Sequence, residues 1–435
     1  MSREFGLGWF FSSKKKAQRP QSRRRSNRPL RVEMLESKLP LAGNITATLA
    51  GGLLTLTGDA ASNAMYLQGT GGTVRVIGQG TTIGGSSIRT FTGVTNINIF
   101  GNGGSDTVTA QTLTLAGSLF ASMDSTTVGN DVVTLVNVNV GNDLEILTDP
   151  VDALGDVNSS AGSDRVTLTN VTAGDDVFVI TGHIGGLAGA ARDAIVANRV
   201  TANNVDPLGD FSLLKTGNGP DSITAAYLNI NSDLFLDASP DLGNSSAADA
   251  VSISLSTIDG TLDIRTDDLF TATSRGNDVA TVNGVTATAL GLGTAGGNDV
   301  VSVLNSTFGT PPFGAGQFIS FINVGGTGAD RDTVTITNTD FYGGVDLTTG
   351  ADADYVTITL STLYGPGVID VHTTIDLGAG NDYLSFSYND VDDVALMELI
   401  GGAGTDIVYA LYNTDLFGDP AIFPQVADIE FLYSV

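Results

Sequence analysis

Aspartate is the residue through which this chain could do chemistry. After position 38 there are 44 acidic residues; 41 are Asp and three are Glu (Glu145, Glu398 and Glu430). Twelve of the Asp share one context, following a small-residue turn and preceding alternating apolar residues. They are Asp106, Asp131, Asp164, Asp193, Asp221, Asp249, Asp278, Asp299, Asp332, Asp354, Asp382 and Asp406, at a mean spacing near 27 residues. A carboxylate at such a turn has two uses. It can accept nearby backbone N–H groups and fix the turn. Together with turn carbonyl oxygens it can also bind calcium, which takes about 6–8 oxygens. If the units stack at the strand spacing of ~4.8 Å, neighbouring carboxylates repel by ~3.5 kcal/mol at an effective dielectric of about 20. A divalent cation would relieve that repulsion. GNGGSD (101–106), GAGND (378–382) and GGAGTD (401–406) carry glycines that let carbonyl oxygens approach an ion. Asp382 and Asp406 lead the expected metal ligands, followed by Asp106, Asp131 and Asp164, with calcium as the expected ligand.

Other chemistry has less to work with. There is no cysteine, which excludes disulfides, thiolate metal sites and a cysteine nucleophile. The two histidines, His183 and His372, stand in separate units without metal-ligand spacing. Adjacent acids occur at Asp175–Asp176, Asp267–Asp268 and Asp392–Asp393, and paired carboxylates can hydrolyse glycosides. A polysaccharide lyase needs a basic catalytic residue. Only nine Lys/Arg are scattered through residues 39–435, and Lys215 is the one lysine among them. A polysaccharide-degrading enzyme, lyase or glycoside hydrolase, is therefore the alternative reading, with no catalytic residue singled out.

The elements that must position these aspartates are strands. After each register Asp, apolar residues fall at every second position, as in GNDVVTLVN (129–137), GSDRVTLTN (162–170) and RDTVTITN (331–338). Thirteen residues after the Asp stand Leu119, Leu144, Val177, Leu234, Leu262 and Val345, each opening a second short run. A unit this short cannot bury a face alone and must stack on its neighbours. The expected fold is all-β, a right-handed parallel β-helix of about 12 coils with β caps. Asn137, Asn170, Asn305 and Asn338 lie six residues after their register Asp and are expected to form a ladder. The expected organisation is a basic leader at 1–43, an N-terminal β cap at 44–100, repeats at 101–415 and a C-terminal cap strand at 416–435.

Charge divides the chain in the same way. Residues 1–38 carry 11 Lys/Arg and 3 Asp/Glu, whereas residues 39–435 carry 9 and 44, a net of −35. A body so acidic repels phosphate backbones, so nucleic acid is not an expected partner. No uninterrupted apolar stretch is long enough for a membrane-spanning helix.

Two resemblances add to this reading. Residues 29–43, PLRVEMLESKLPLAG, resemble the N-terminal LEPR-XLL motif of planctomycete secreted and surface proteins. Leu35, Glu36, Lys38 and Leu41 carry the match, and Ser37 and Pro40 depart from it. The resemblance implies export to the cell surface or beyond. The Gly-Asp turns resemble the calcium-binding nonapeptides of RTX proteins, although here they occur about once per unit and not in tandem. Together these imply an exported, acidic β-helix acting as a structural or adhesive surface protein. Its expected partners are calcium ions and surface polysaccharide or other surface proteins.

Overall fold

The computed structural model describes residues 43–123, 129–148, 162–182, 192–203, 211–216, 219–238, 247–266, 276–310, 318–326, 330–364, 373–391, 397–415, 425–429 and 431–434. All of the expected leader at 1–43 except Gly43, both histidines and the pairs Asp267–Asp268 and Asp392–Asp393 lie outside them. The described residues are strands and turns with no helix, and two long parallel sheets run the length of the body.

One sheet, here the entry sheet, holds the strand that follows each register Asp. Thr107–Leu115, Val132–Val140, Arg165–Ala173 and Ala194–Ala202 pair in parallel and in register, and the series continues to Ile407–Leu411 and Phe431–Ser434. The other, the return sheet, holds the runs that open 13 residues after the Asp. Leu119–Ser122, Leu144–Leu147 and Val177–Ile180 are consecutive neighbours in it. From Leu53–Thr57 onward the order of its strands follows the chain, as a stacked solenoid requires.

Register is held by burial. Inward residues of the entry strands form columns such as Val108–Val133–Val166–Ile195–Ile223, and those of the return strands form Leu119–Leu144–Val177. All are nearly inaccessible and belong to one core cluster. A slip by one residue would turn every such side chain outward, and each buried Val, Leu or Ile contributes ~1.5–3 kcal/mol. The Ala-rich stretch at 194–202 keeps this phase and is a strand.

The corner between the strands is equally regular. Six residues after the register Asp the backbone takes a positive φ in every unit. Thr112, Asn137, Asn170, Arg199, Tyr227, Leu255, Asn305, Asn338, Leu360, Tyr388 and Tyr412 have φ between 49° and 59°, and Gly284 has 67°. This left-handed conformation costs an L-residue roughly 1–2 kcal/mol. Its side chains stack from unit to unit in short runs. Asn170 Nδ2 donates to Asn137 Oδ1 at 2.8 Å, and Asn338 Nδ2 to Asn305 Oδ1 at 2.9 Å. The Arg199 guanidinium lies 5.5 Å from the Tyr227 ring centroid, and Tyr388 stacks on Tyr412 at 5.1 Å. The expected asparagine ladder is thus present as two separate pairs.

The N-terminal segment is only partly a cap. Asn44–Ala50 and Leu53–Thr57 form an antiparallel hairpin, and Ala64–Thr70, Thr73–Gly78 and Ile88–Thr92 an antiparallel sheet. Leu53–Thr57 and Asn96–Phe100 already run parallel in the return sheet, and Ala64–Thr70 pairs in parallel with Thr107–Leu115. The parallel stack therefore begins before residue 101, ahead of the first register Asp. At the other end Phe431–Ser434 pairs in parallel with Ile407–Leu411 and continues the entry sheet.

Candidate functional site: a buried aspartate column

The register aspartates stand inside the body. Each opens an entry strand at the point where the chain turns in from the preceding loop, and all twelve are at most 2% exposed. At this corner the backbone N–H of the Asp has no strand to pair with, and the next unit supplies the acceptor. Asp106 N donates to Asp131 Oδ1 at 2.6 Å, Asp131 N to Asp164 Oδ1 at 2.7 Å, and Asp164 N to Asp193 Oδ1 at 2.8 Å. The pattern repeats without a gap to Asp382 N and Asp406 Oδ1 at 2.9 Å. Asn63 starts the series, its N–H donating to Asp106 Oδ1 at 2.6 Å. Asp suits this position because its short side chain reaches one rung and no further, and a buried backbone N–H left without an acceptor is costly.

The return strands supply a second layer. Thr148, Thr181, Thr216, Thr266 and Thr349 follow the ends of these strands, Thr294 lies near the end of Ala289–Ala295, and all six are fully buried. The Thr148 hydroxyl faces Asp164, Thr216 faces Asp221, Thr294 faces Asp299 and Thr349 faces Asp354. At Asp332 there is no such hydroxyl, and Gly325 lies against its Oδ2.

Burial sets the protonation of the column. Desolvation raises Asp164, and it pushes Asp221 up to about 7 and Asp299 to about 6, against the pull of the backbone donor and the Thr hydroxyl. Asp354 and Asp382 rise to about 7, desolvation again coming first and neighbouring carboxylates adding to it. Asp332 reaches about 8, through burial and the charges of Asp299, Asp354 and Asp330. Asp332 therefore keeps its proton near neutrality and Asp221, Asp354 and Asp382 keep theirs in part, so the folded body carries less charge than its formal count.

The expected metal ligands all fall in this column. Asp382 and Asp406 are neighbours on adjacent rungs, as their spacing predicts, and Asp106, Asp131 and Asp164 are three consecutive rungs. The donor set does not fit calcium. Each carboxylate has already committed Oδ1 to a backbone N–H. Among the described residues no group of three or more His, Cys, Asp or Glu could hold a metal ion. The turn glycines serve packing instead. Ala379–Gly380 and Ala403–Gly404 pair as a two-stranded ladder, and a Cβ on Gly402 would overlap the Gly378 carbonyl oxygen.

A second arrangement was not legible in the repeat. On the outward face of the return sheet, Lys215, Asp237 and Arg265 occupy three successive rungs, with Asp263 two residues before Arg265. Lys215 Nζ lies 2.5 Å from Asp237 Oδ2, and Arg265 Nη2 lies 2.7 Å from Asp263 Oδ2. The Lys215 side chain is only 8% exposed. The cations that looked scattered along the chain are thus gathered in part on one face, each opposite a carboxylate. Outward alternation in LDIRT (262–266) was the available signal; Lys215 escaped it because the insertion before Phe211 takes it out of phase. Asp175 and Asp176 are half-buried in the turn before Val177–Ile180. Compared with protein-family models, curated proteins and solved structures, the chain matches none of them.

Proposed function

We propose that this protein is an exported, acidic, right-handed parallel β-helix of about twelve coils that serves as a structural or adhesive element at the cell surface or outside the cell. The observation that carries the reading is the aspartate column. The most frequent reactive side chain of the repeat is buried and committed to holding one unit against the next, which is work for a rod. The similarity of residues 29–43 to LEPR-XLL leaders supports export, and among the described residues no helix is long and apolar enough to cross a membrane. Calcium is not part of this proposal, because the column offers it no cage. The test is protease treatment of intact cells producing the full chain or a chain lacking residues 1–42. The full chain should be cleaved at the surface or found in the medium, and the shortened chain retained inside. A full chain that stays protected in intact cells refutes the reading.

A second reading, a polysaccharide-degrading enzyme, is favoured by one observation: two carboxylates, a lysine and an arginine share one outward face. Matching each cation with a carboxylate is what a structural ion-pair network also does. The readings separate on Asp237→Asn with Asp263→Asn in a chain whose melting is unchanged. A glycan cleaved by the wild type and not by this variant would establish the enzyme; no cleavage by either leaves the structural role.

A further inference from the structure

The N-terminal antiparallel sheet differs in charge from everything after it. Residues 60–105 contain no Asp or Glu and two cations, Arg75 and Arg89, in a body whose net charge is −35. Arg89 is occupied, its guanidinium 4.9 Å from the Phe91 ring centroid. Arg75 is exposed and makes no ion pair among the described residues.

Arg75 projects into a concavity of about 440 Å³ that opens to solvent. Strand pairing sets Gln68, Arg75 and Thr90 side by side across three antiparallel strands, so all three face the same way. Thr70 and Thr73 form the next row, and Thr112, the first left-handed corner of the repeat, closes one side. Gly69 also borders the hollow, at an irregularity in the pairing with the entry sheet, where a Cβ would overlap the Thr73 carbonyl oxygen.

The lining is one guanidinium, one carboxamide and four hydroxyls. A guanidinium pairs an acidic oxygen group through a planar fork, and amides and hydroxyls exchange hydrogen bonds with alcohols in either direction. The volume lies in the range of small-ligand sites, and the open rim suits a segment of a chain more than a closed-in molecule. We propose that this concavity binds an acidic polysaccharide, with a carboxylate or sulfate on Arg75 and sugar hydroxyls on Gln68, Thr70, Thr73 and Thr90. An anionic polymer is repelled by the acidic remainder of the body, so the acid-free sheet is where it can dock. The inference extends the adhesive reading and depends on it only for where the polymer is met.

The experiment uses the purified full chain in affinity electrophoresis through gels carrying polygalacturonate, dextran sulfate or neutral dextran. Retardation on one or both anionic polymers and not on dextran is expected, and the comparison tells carboxylate from sulfate. Arg75→Gln should weaken binding at least tenfold with melting unchanged, since the side chain is exposed. Arg75→Lys should keep part of it, and added sodium chloride should weaken it. The proposal is overturned if no anionic polymer retards the wild type, if dextran does so equally, or if Arg75→Gln binds unchanged. It is also overturned if Arg75→Gln alters only self-association in sedimentation, which would assign the sheet to the acidic body of a second copy. Because the chain is tested in solution, a negative result leaves the surface localisation standing, and protected chains in cells leave the binding result standing.

Discussion

Replacing Asp332 by Asn should stabilise the protein at alkaline pH and do little at acidic pH. Asp332 Oδ1 accepts the Asp299 N–H at 2.9 Å, and the Asp332 N–H donates to Asp354 Oδ1 at 2.9 Å. Asn keeps both bonds, since its Oδ1 accepts as well as a carboxylate oxygen does. What it removes is the charge. In the unfolded chain the carboxyl titrates near 3.8, and in the folded chain near 8, raised by burial and then by Asp299, Asp354 and Asp330. The folded form therefore holds one proton more between these values, so stability falls as pH rises. The contribution is fully present below about pH 4 and is lost by the time the pH has passed about 8. Each pKa unit corresponds to about 1.4 kcal/mol, which sets a ceiling near ~6 kcal/mol. With neighbouring carboxyls free to take up protons in its place, a gain on the order of 3 kcal/mol for Asp332→Asn at pH 9 is the working figure. That is a shift of several degrees in melting midpoint. The assay is thermal unfolding followed by circular dichroism at pH 5 and pH 9. Equal midpoints for both chains at pH 9, or an equal loss at both pH values, would refute the account of Asp332 as an acid that burial keeps protonated.

Three other outcomes follow. Millimolar calcium and sodium chloride of matched ionic strength should move the melting midpoint equally relative to chelator; a calcium-specific rise would place a cation site that the column geometry does not provide. Leu360→Asn should raise stability by ~1 kcal/mol, because Leu360 is 59% exposed and sits at φ 53°, a conformation Asn tolerates; a loss in denaturant titration would contradict this. Gly402→Ala should cost ~3 kcal/mol or more, because a backbone oxygen of the preceding rung, that of Gly378, occupies the space. Gly71→Ala, with φ 61° and nothing nearby, should cost only ~1–2 kcal/mol. Similar losses at the two glycines would mean that the close approach is not what demands glycine.

The stacked parallel architecture was legible because its signal is a strict alternation that stacking makes obligatory. Val133, Val166 and Ile195 are two residues past their Asp and face inward on adjacent strands. The direction of the aspartates was not legible. Composition alone says that Asp prefers exposed turns, whereas each register Asp here turns inward to meet a backbone N–H on the neighbouring unit, a partner 21 to 33 residues away in sequence. The left-handed corner was half visible. Four asparagines marked it, but Leu255, Leu360 and Tyr388 occupy the same backbone state and have no propensity for it; the corner is imposed by stacking and overrides their local preference. The Lys215–Asp237 pair and the hollow around Arg75 could not be read from the repeat at all, because both depend on which outward residues fall side by side across strands.

The hydrogen bonds of the aspartate column all point one way. Every rung gives its N–H to the rung that follows it in sequence and receives one from the rung before. A partly assembled stack is therefore asymmetric: its older rungs are satisfied, and its youngest holds out a single donor awaiting a carboxylate not yet in place. A chain emerging from its N-terminus onward supplies those carboxylates in the order in which they are needed. Each new unit settles its predecessor and in doing so exposes the next demand. Such a rod can zip forward behind its own synthesis, the column donor being met together with the open edges of the two newest strands.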